Sequence, residues 1–296
     1  MKQKTHMAVT GYLMMAPMLI LMTVFYFVPI GISSYMSFTN WDLLSIGRFV
    51  GLDNYAELFT DKYLPMEIRN TFILSFFSVS ISMALSLLLV SAMSTKIRGK
   101  SLYRLIYFLP NVTMPAAIAL VWQWMLNSKY GIINLLLAKL GIYQPSWLSD
   151  PNYILPAIVM VGVWSTLGYN LAILMSGLLT ISPSYYEAAE IDGAGGFARF
   201  WHITVPLLSP YTFFLTVTSV INTLKAFDVV YIFNSANAVG GPMLDASRTI
   251  VFGIYETGFT YNRMGFASAK SLFLLVLIAA ITGVQFYMQK RWVNYD

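Results

Sequence analysis

Six runs of apolar residues, each near the length of a membrane span, constrain this chain more than anything else in it. They fall at 9–32, 71–93, 103–126, 153–180, 207–231 and 267–289. About 20 apolar residues are needed for a helix to cross a hydrocarbon core roughly 30 Å thick. Lipid leaves no water to satisfy an irregular exposed backbone, so each run is expected to be helical. The expected fold class is therefore all-α, a polytopic membrane protein with six transmembrane helices. Composition agrees. Only 10% of the 296 residues are charged and 57% are apolar, against roughly 25% charged in a water-soluble domain. Pro17, Pro29, Pro110, Pro115, Pro156 and Pro210 lie within or at the ends of the runs, where some are expected to mark kinks.

The first run follows Lys2 and Lys4 and superficially resembles a secretory signal. It is too long for a signal's apolar region and no small-residue cleavage site follows it, so a retained anchor helix is expected. Orientation follows from the basic residues. With the N-terminus inside, the inner segments carry Lys2, Lys4, Lys96, Arg98, Lys100, Arg104, Arg199, Lys290 and Arg291. The longer outer segments carry Arg48, Lys62, Arg69, Lys129, Lys139, Arg248 and Arg263. The positive-inside rule then places both termini in the cytoplasm. The outer loops 33–70, 127–152 and 232–266 are too short for an inserted globular domain, and no repeat divides the chain. Residues 1–296 read as a single transmembrane domain.

Several functional classes find no support. The net charge of +5 comes without a dense basic run interleaved with aromatics, so nucleic-acid binding is not indicated. The chain has no cysteine and only His6 and His202, which disfavours metal chemistry. Ser94-Thr-Lys-Ile-Arg-Gly99-Lys100-Ser101 ends like a phosphate-binding loop but lacks its first glycine and follows a membrane run rather than a strand. Gly193-Ala-Gly195-Gly-Phe-Ala198 formally matches a dinucleotide-binding pattern, again without the strand–turn–helix context. The sequon Asn111-Val-Thr113 sits inside an apolar run, and no metalloprotease or serine-hydrolase motif is present. No catalytic residue and no bound cofactor are expected.

One polar segment is anomalous. Between the fourth and fifth runs lies Ser182-Pro183-Ser184-Tyr-Tyr-Glu187-Ala188-Ala189-Glu190-Ile-Asp192-Gly193-Ala-Gly195-Gly196, closed by Ile203-Thr-Val-Pro206. Ser182 suits a helix N-cap and Pro183 a helix start. Glu187 is expected in the first turn, where a carboxylate suits the helix dipole. Ala188 and Ala189 favour helix and let another backbone approach closely. Gly193, Gly195 and Gly196 permit left-handed turns after it. An ordinary polar connection between two spans would also contain such residues, so spacing alone leaves both readings open.

The pattern E-A-A-x-x-x-G, nine residues and then I-x-(apolar)-P resembles the cytoplasmic coupling loop of ATP-binding-cassette importer permeases. Phe49-Val-Gly51-Leu-Asp53-Asn54-Tyr55, Trp147-Leu-Ser-Asp150-Pro151, Gly240-Gly241-Pro242, Ala16-Pro17 and Ser37-Phe-Thr-Asn-Trp41 extend the resemblance along nearly the whole chain. Together they look like the carbohydrate-uptake permeases, in particular the first permeases of maltose and glycerol-3-phosphate importers. The usual I-x-L-P is here I-x-V-P, which keeps an apolar side chain. The resemblance implies a type I importer permease fold in a bacterial inner membrane. It implies ATPase coupling through 181–206, with Glu187, Ala188, Ala189, Asp192 and Gly193 at the contact. It also implies a second, homologous permease, two cytoplasmic ATPase subunits that hold the ATP and magnesium, and an external solute-binding protein. The cargo implied is a sugar or sugar derivative, with an oligosaccharide favoured. The scarcity of arginine in the spans favours an uncharged one.

In such a permease the solute passes along the inner faces of central helices. Here those offer Trp164, Gly168, Tyr169 and Asn170 in the fourth run, and Ser219, Asn222, Lys225 and Asp228 in the fifth. Aromatic faces stack on sugars, and a few amides and hydroxyls pair with sugar hydroxyls. Asn222, Lys225 and Asp228 are spaced i, i+3 and can share a helix face. Lys225 also suits an interfacial lysine paired with Asp228, and Lys270 is expected at the interface. Trp122, Trp124 and Tyr287 suit packing or interface anchoring. The alternative from another class is a self-sufficient carrier or channel. It would need ion ligands or a proton relay within the spans, for which only Asp228 is available.

Overall fold

The computed structural model describes residues 2–42, 45, 47–93, 107–235 and 241–294. Lys96, Arg98, Lys100 and Arg104, which weigh heavily in the orientation argument, lie outside the described residues, as do 103–106 at the start of the third run. The regular structure among the described residues is helical, apart from one isolated bridge between Thr39 and Phe49.

In chain order the principal helices are α1 (Gly11–Met36, with a wider turn at Thr23–Phe27), α2 (Asp53–Thr60), α3 (Leu64–Met93) and α4 (Pro115–Met125). They are followed by α5 (Ile132–Lys139), α6 (Pro151–Leu178), α7 (Pro183–Ile191), α8 (Ser209–Leu224), α9 (Asp228–Ser235), α10 (Pro242–Ser247) and α11 (Met264–Gln289). Five stretches are long and apolar enough to cross a membrane: α1, α3, α6, α8 continued through α9, and α11. They correspond to five of the six expected runs, shifted by a few residues at their ends.

Two runs depart from the expected continuous helix. In the third, the described part is helical over 107–112, breaks at 113–114 and resumes at Pro115. Met114 is extended (φ −58°, ψ 127°), because a residue before proline is sterically kept out of the helical region. In the fifth, α8 stops at Leu224 and α9 begins at Asp228. Neither proline nor glycine marks that break. Its cause is packing: Val230 and Phe233 of α9 are fully buried in a core with Ile118, Ile154, Ile158 and Phe252. The Gln123 side chain of α4 also donates to the Ile232 carbonyl at 3.2 Å.

The chain divides into two compact units, Met1–Leu64 with Gly253–Val276, and Pro65–Phe252 with Leu277–Asp296. In the first, the buried Asn54 amide donates to the carbonyls of Ser37 and Thr39, both at 2.8 Å. Gly265 passes so close to Thr39 that a Cβ there would lie 1.9 Å from its carbonyl oxygen. Lys270, expected as an interfacial lysine, is buried within the protein. Its side chain is 1% exposed and pairs with Asp61 at 2.8 Å, because a buried ammonium needs a counter-charge that a snorkelling one does not. By contrast, α1 has hardly a buried side chain from Gly11 to Met36.

In the second unit, the start of α3 is tied to the chain around α10. Glu67 and Arg248 form an ion pair of 2.9 Å with both side chains nearly inaccessible. The Asn70 amide donates to the carbonyls of Asp245 (2.9 Å) and Arg248 (3.0 Å), and Thr71 Oγ1 accepts from the Ile250 N–H at 3.0 Å. Deeper in, Ser75, Ser78, Ser82 and Ser86 make a buried polar stripe on α3. Ser75 bonds Thr223 of α8 at 2.8 Å, and Gly162 of α6 lets Ser78 approach. Small residues of this kind let membrane helices pack closely.

Candidate functional site

The polar segment after α6 folds as its sequence dictates. Asp150 caps the start of α6 and Ser182 that of α7, where its hydroxyl accepts from the Ser184 N–H at 3.4 Å. Pro183 fills the first position, which has no N–H to lose. Because the cap is Ser182, Glu187 falls one residue beyond the first turn, which contains no acidic residue. Glu187 therefore does not meet the positive end of the helix dipole, and its side chain is exposed. Ala188 is exposed, Ala189 half-buried, and Asp192 ends the helix as its C-cap.

Of the three glycines, Gly193 alone takes the left-handed conformation (φ +75°); Gly195 has φ −68°. The reversal at Gly193 is fixed by Ala194 N–H donating to the Ala189 carbonyl (2.8 Å) and Gly193 N–H to that of Glu190 (3.1 Å). These bonds satisfy the orphan carbonyls of the helix end. Two side-chain contacts then brace α7 against the returning chain: Arg199 to Glu190 at 3.2 Å and Tyr186 Oη to Thr204 Oγ1 at 3.0 Å. The segment is a short, stiffened helix rather than a loose connection.

The outer surface of this segment is apolar. Ile191 is 87% exposed and Phe197 79%, with Tyr185 and Trp201 about half exposed. Phe197 and Phe200 each meet Trp201 edge to face, at 6.3 and 5.4 Å between ring centroids. A polar-rimmed apolar patch of this kind marks a contact surface for another protein or a membrane. Sequence reasoning named the acidic, alanine and glycine positions but passed over Ile191, Phe197 and Trp201. The available signal was three large apolar residues in a segment otherwise too polar to cross lipid.

The residues offered for a solute path separate into two groups. Trp164 is partly exposed and meets Trp122 edge to face at 5.5 Å. Asn222, Lys225 and Asp228 are exposed around the break between α8 and α9. The break interrupts the continuous helix on which the i, i+3 argument rested, and Lys225 and Asp228 form no ion pair with each other. The second group is inside. Gly168 is a packing glycine: a Cβ there would lie 1.8 Å from the Tyr107 carbonyl oxygen. Asn170 is fully buried, its amide reaching Ser82 at 3.4 Å, and Ser219 is also buried, while Tyr169 is half-buried against a core with Leu171, Leu174 and Leu215. Trp124 and Tyr287 are largely exposed.

Comparison with known proteins places this geometry among transporters. The family model described as "Binding-protein-dependent transport system inner membrane component" matches residues 84–294. The sn-glycerol-3-phosphate transport system permease protein UgpA of Agrobacterium fabrum (strain C58) is 35% identical over 286 residues, 96% of each chain. The probable ABC transporter permease protein YesP of Bacillus subtilis (strain 168) is 32% identical over 289 residues, 97% of this chain and 92% of the relative. A chain of the bacterial alginate ABC transporter, solved with its alginate pentasaccharide-bound periplasmic protein, superimposes with a TM-score of 0.84 at 21% identity, covering 98% of this chain and 96% of that one. A second structure of a bacterial ABC transporter that imports alginate gives 0.79 at 22% identity, covering 99% of both chains.

Proposed function

As the chain belongs to the binding-protein-dependent transport-system inner-membrane components, we propose that it forms one half of the membrane pathway of an ATP-driven importer for a sugar or sugar derivative. The cargo class is supported by UgpA, a relative named for sn-glycerol-3-phosphate transport, and by the resemblance of the sequence motifs to carbohydrate permeases. The chain itself is a transport subunit. ATP and magnesium belong to two cytoplasmic ATPase subunits, a second permease completes the pathway, and an external solute-binding protein delivers the cargo. Both termini lie in the cytoplasm, which puts α7 on the ATPase side.

The observation that carries this reading is the braced α7 segment with its exposed apolar outer face. A stiff helix transmits displacement from a partner, and exposed Ile191, Phe197 and Trp201 provide area for that partner to bury. Closure of the ATPases on ATP would draw the two coupling segments together and switch the spans from inward-open to outward-open. Each state must be favoured by a different set of contacts for the cycle to turn. Lys225 and Asn222, exposed where α8 breaks, and Trp164 beside Trp122 are the side chains proposed to meet the solute.

Glu187→Lys tests the coupling role. Uptake by the assembled transporter should fall to background while the variant still inserts in the membrane; wild-type uptake would exclude Glu187 from coupling. Purification in mild detergent should recover a second permease and an ATPase in a 1:1:2 ratio. A lone chain that moves solute across liposomes by itself would favour a self-sufficient carrier instead.

A further inference from the structure

A cleft in the second unit belongs neither to the coupling segment nor to the proposed solute path. It is a cavity of about 1070 Å³ between α3 and α6, roofed at one end by α10. Its lining changes character along its length. Arg69, Asn152 and Asp245 surround one end, whereas the other is walled by Ile73, Phe77, Ile81, Val159 and Val163. Asn152 lies in the first turn of α6 and Arg69 shortly after the start of α3, so the polar end is at the level where both helices enter the membrane. From Arg69 to Ile81 is about 18 Å at 1.5 Å per residue. One leaflet of hydrocarbon is about 15 Å. The apolar part of the cleft thus matches the depth of a single acyl chain.

The polar end presents one cation and one anion, and these are not paired with each other or with any other described residue. Nor is the anion on a loose segment. The backbone carbonyl of Asp245 is gripped by the Asn70 amide, and the same amide holds Arg248, whose side chain is locked to buried Glu67. We propose that this cleft binds one phospholipid with a zwitterionic, primary-ammonium headgroup, its phosphate on Arg69, its ammonium on Asp245 and an acyl chain along Phe77 and Ile81. A guanidinium is the side chain best suited to phosphate, and a carboxylate accepts the N–H bonds that an ammonium donates. An anionic headgroup without an amine leaves Asp245 facing a phosphate, and a choline headgroup has no N–H to donate. A wholly apolar occupant leaves both charges desolvated without partners.

The test is native mass spectrometry of the intact purified transporter, released from nanodiscs holding equal parts dioleoyl phosphatidylethanolamine, phosphatidylcholine and phosphatidylglycerol. One phosphatidylethanolamine should stay bound to this subunit with a preference of about tenfold over either competitor, the scale of one good charged contact. Asp245→Asn should remove the headgroup preference, and Arg69→Gln should weaken retention of phosphatidylethanolamine. Both positions carry unpaired charges at the cleft mouth, so the variants should fold. Equal retention of the three lipids, or a preference untouched by both variants, overturns the proposal. So does a disulfide from Ile81→Cys to a cysteine placed on the second permease, which would put a protein helix in the cleft. The chain has no native cysteine to confuse that result.

Discussion

Two polar segments of this chain solve opposite problems. Around α10, the chain turns its charges inward: Arg248 meets Glu67 with both side chains buried, and Asn70 and Thr71 take up the backbone groups beside them. Around α7, charge and bulk point outward: Glu187 is exposed, and Ile191, Phe197 and Trp201 present apolar surface to solvent. The only fastenings of α7 to the returning chain among the described side chains are a part-exposed ion pair and one hydroxyl pair. Apart from Asp245 at the cleft mouth, the charges of the first segment find their partners within the chain, and the apolar side chains of the second find no cover there. Buried, paired charges hold a segment to the bundle, whereas large apolar side chains left uncovered offer surface to another protein or to the membrane.

That contrast can be broken at its strongest point first. Arg248→Met takes the guanidinium away from the buried Glu67 carboxylate, and should destabilise the purified protein by about 3–5 kcal/mol, read as a large drop in thermal unfolding temperature in detergent. Glu67→Leu together with Arg248→Met should recover much of the loss, because no uncompensated charge remains. If Arg248→Met alone changes nothing, the segment is not held by its ion pair. At α7 the expectation reverses. Phe197→Asp should leave unfolding unchanged, since the side chain touches little of its own chain, but should weaken co-purification of the ATPase by tenfold or more. A stability loss with intact ATPase binding would make the patch ordinary packing.

A smaller effect sharpens the comparison from a third place. Glu57 and Arg263 pair at 2.7 Å on a half-exposed surface. The hydrogen bond from Arg263 holds the Glu57 carboxyl below its ordinary range, and Glu57 in turn raises Arg263. A lowered carboxylate pKa gives stability that is present above the unfolded value, about 4.3, and disappears as pH falls through the folded value. Solvent screening limits the pair to about 0.5 kcal/mol. Glu57→Gln should therefore cost little at pH 7, and the difference from wild type should vanish once the pH is well below 4. A loss as large as that of Arg248→Met would show that exposure is a poor guide to the worth of these pairs.

Local chemistry was legible from the residues alone. The apolar runs follow from hydropathy, the start of α7 from Ser182 and Pro183, and its end from Gly193. Each depends on the residue itself or on neighbours within a turn. The motif around Glu187 likewise marked the segment that folds as α7, although not the bulky side chains that leave its outer face apolar. What the residues could not reveal is which distant groups meet. Lys270 read as an interfacial lysine because its counter-charge, Asp61, is far away in sequence. Gly168 read as part of a solute path because the backbone of Tyr107 that crosses it comes from another helix. The end of α8 at Leu224 has no breaker, and follows from burial of Val230 and Phe233 in a core built from several helices. Hydropathy and short-range backbone chemistry suffice to make this chain span a membrane as helices and to start and end a short helix between two of the spans. Only the tertiary structure decided which charges are buried in pairs, which glycines are packing contacts and which apolar side chains remain uncovered, because each depends on a contact between residues remote in the chain.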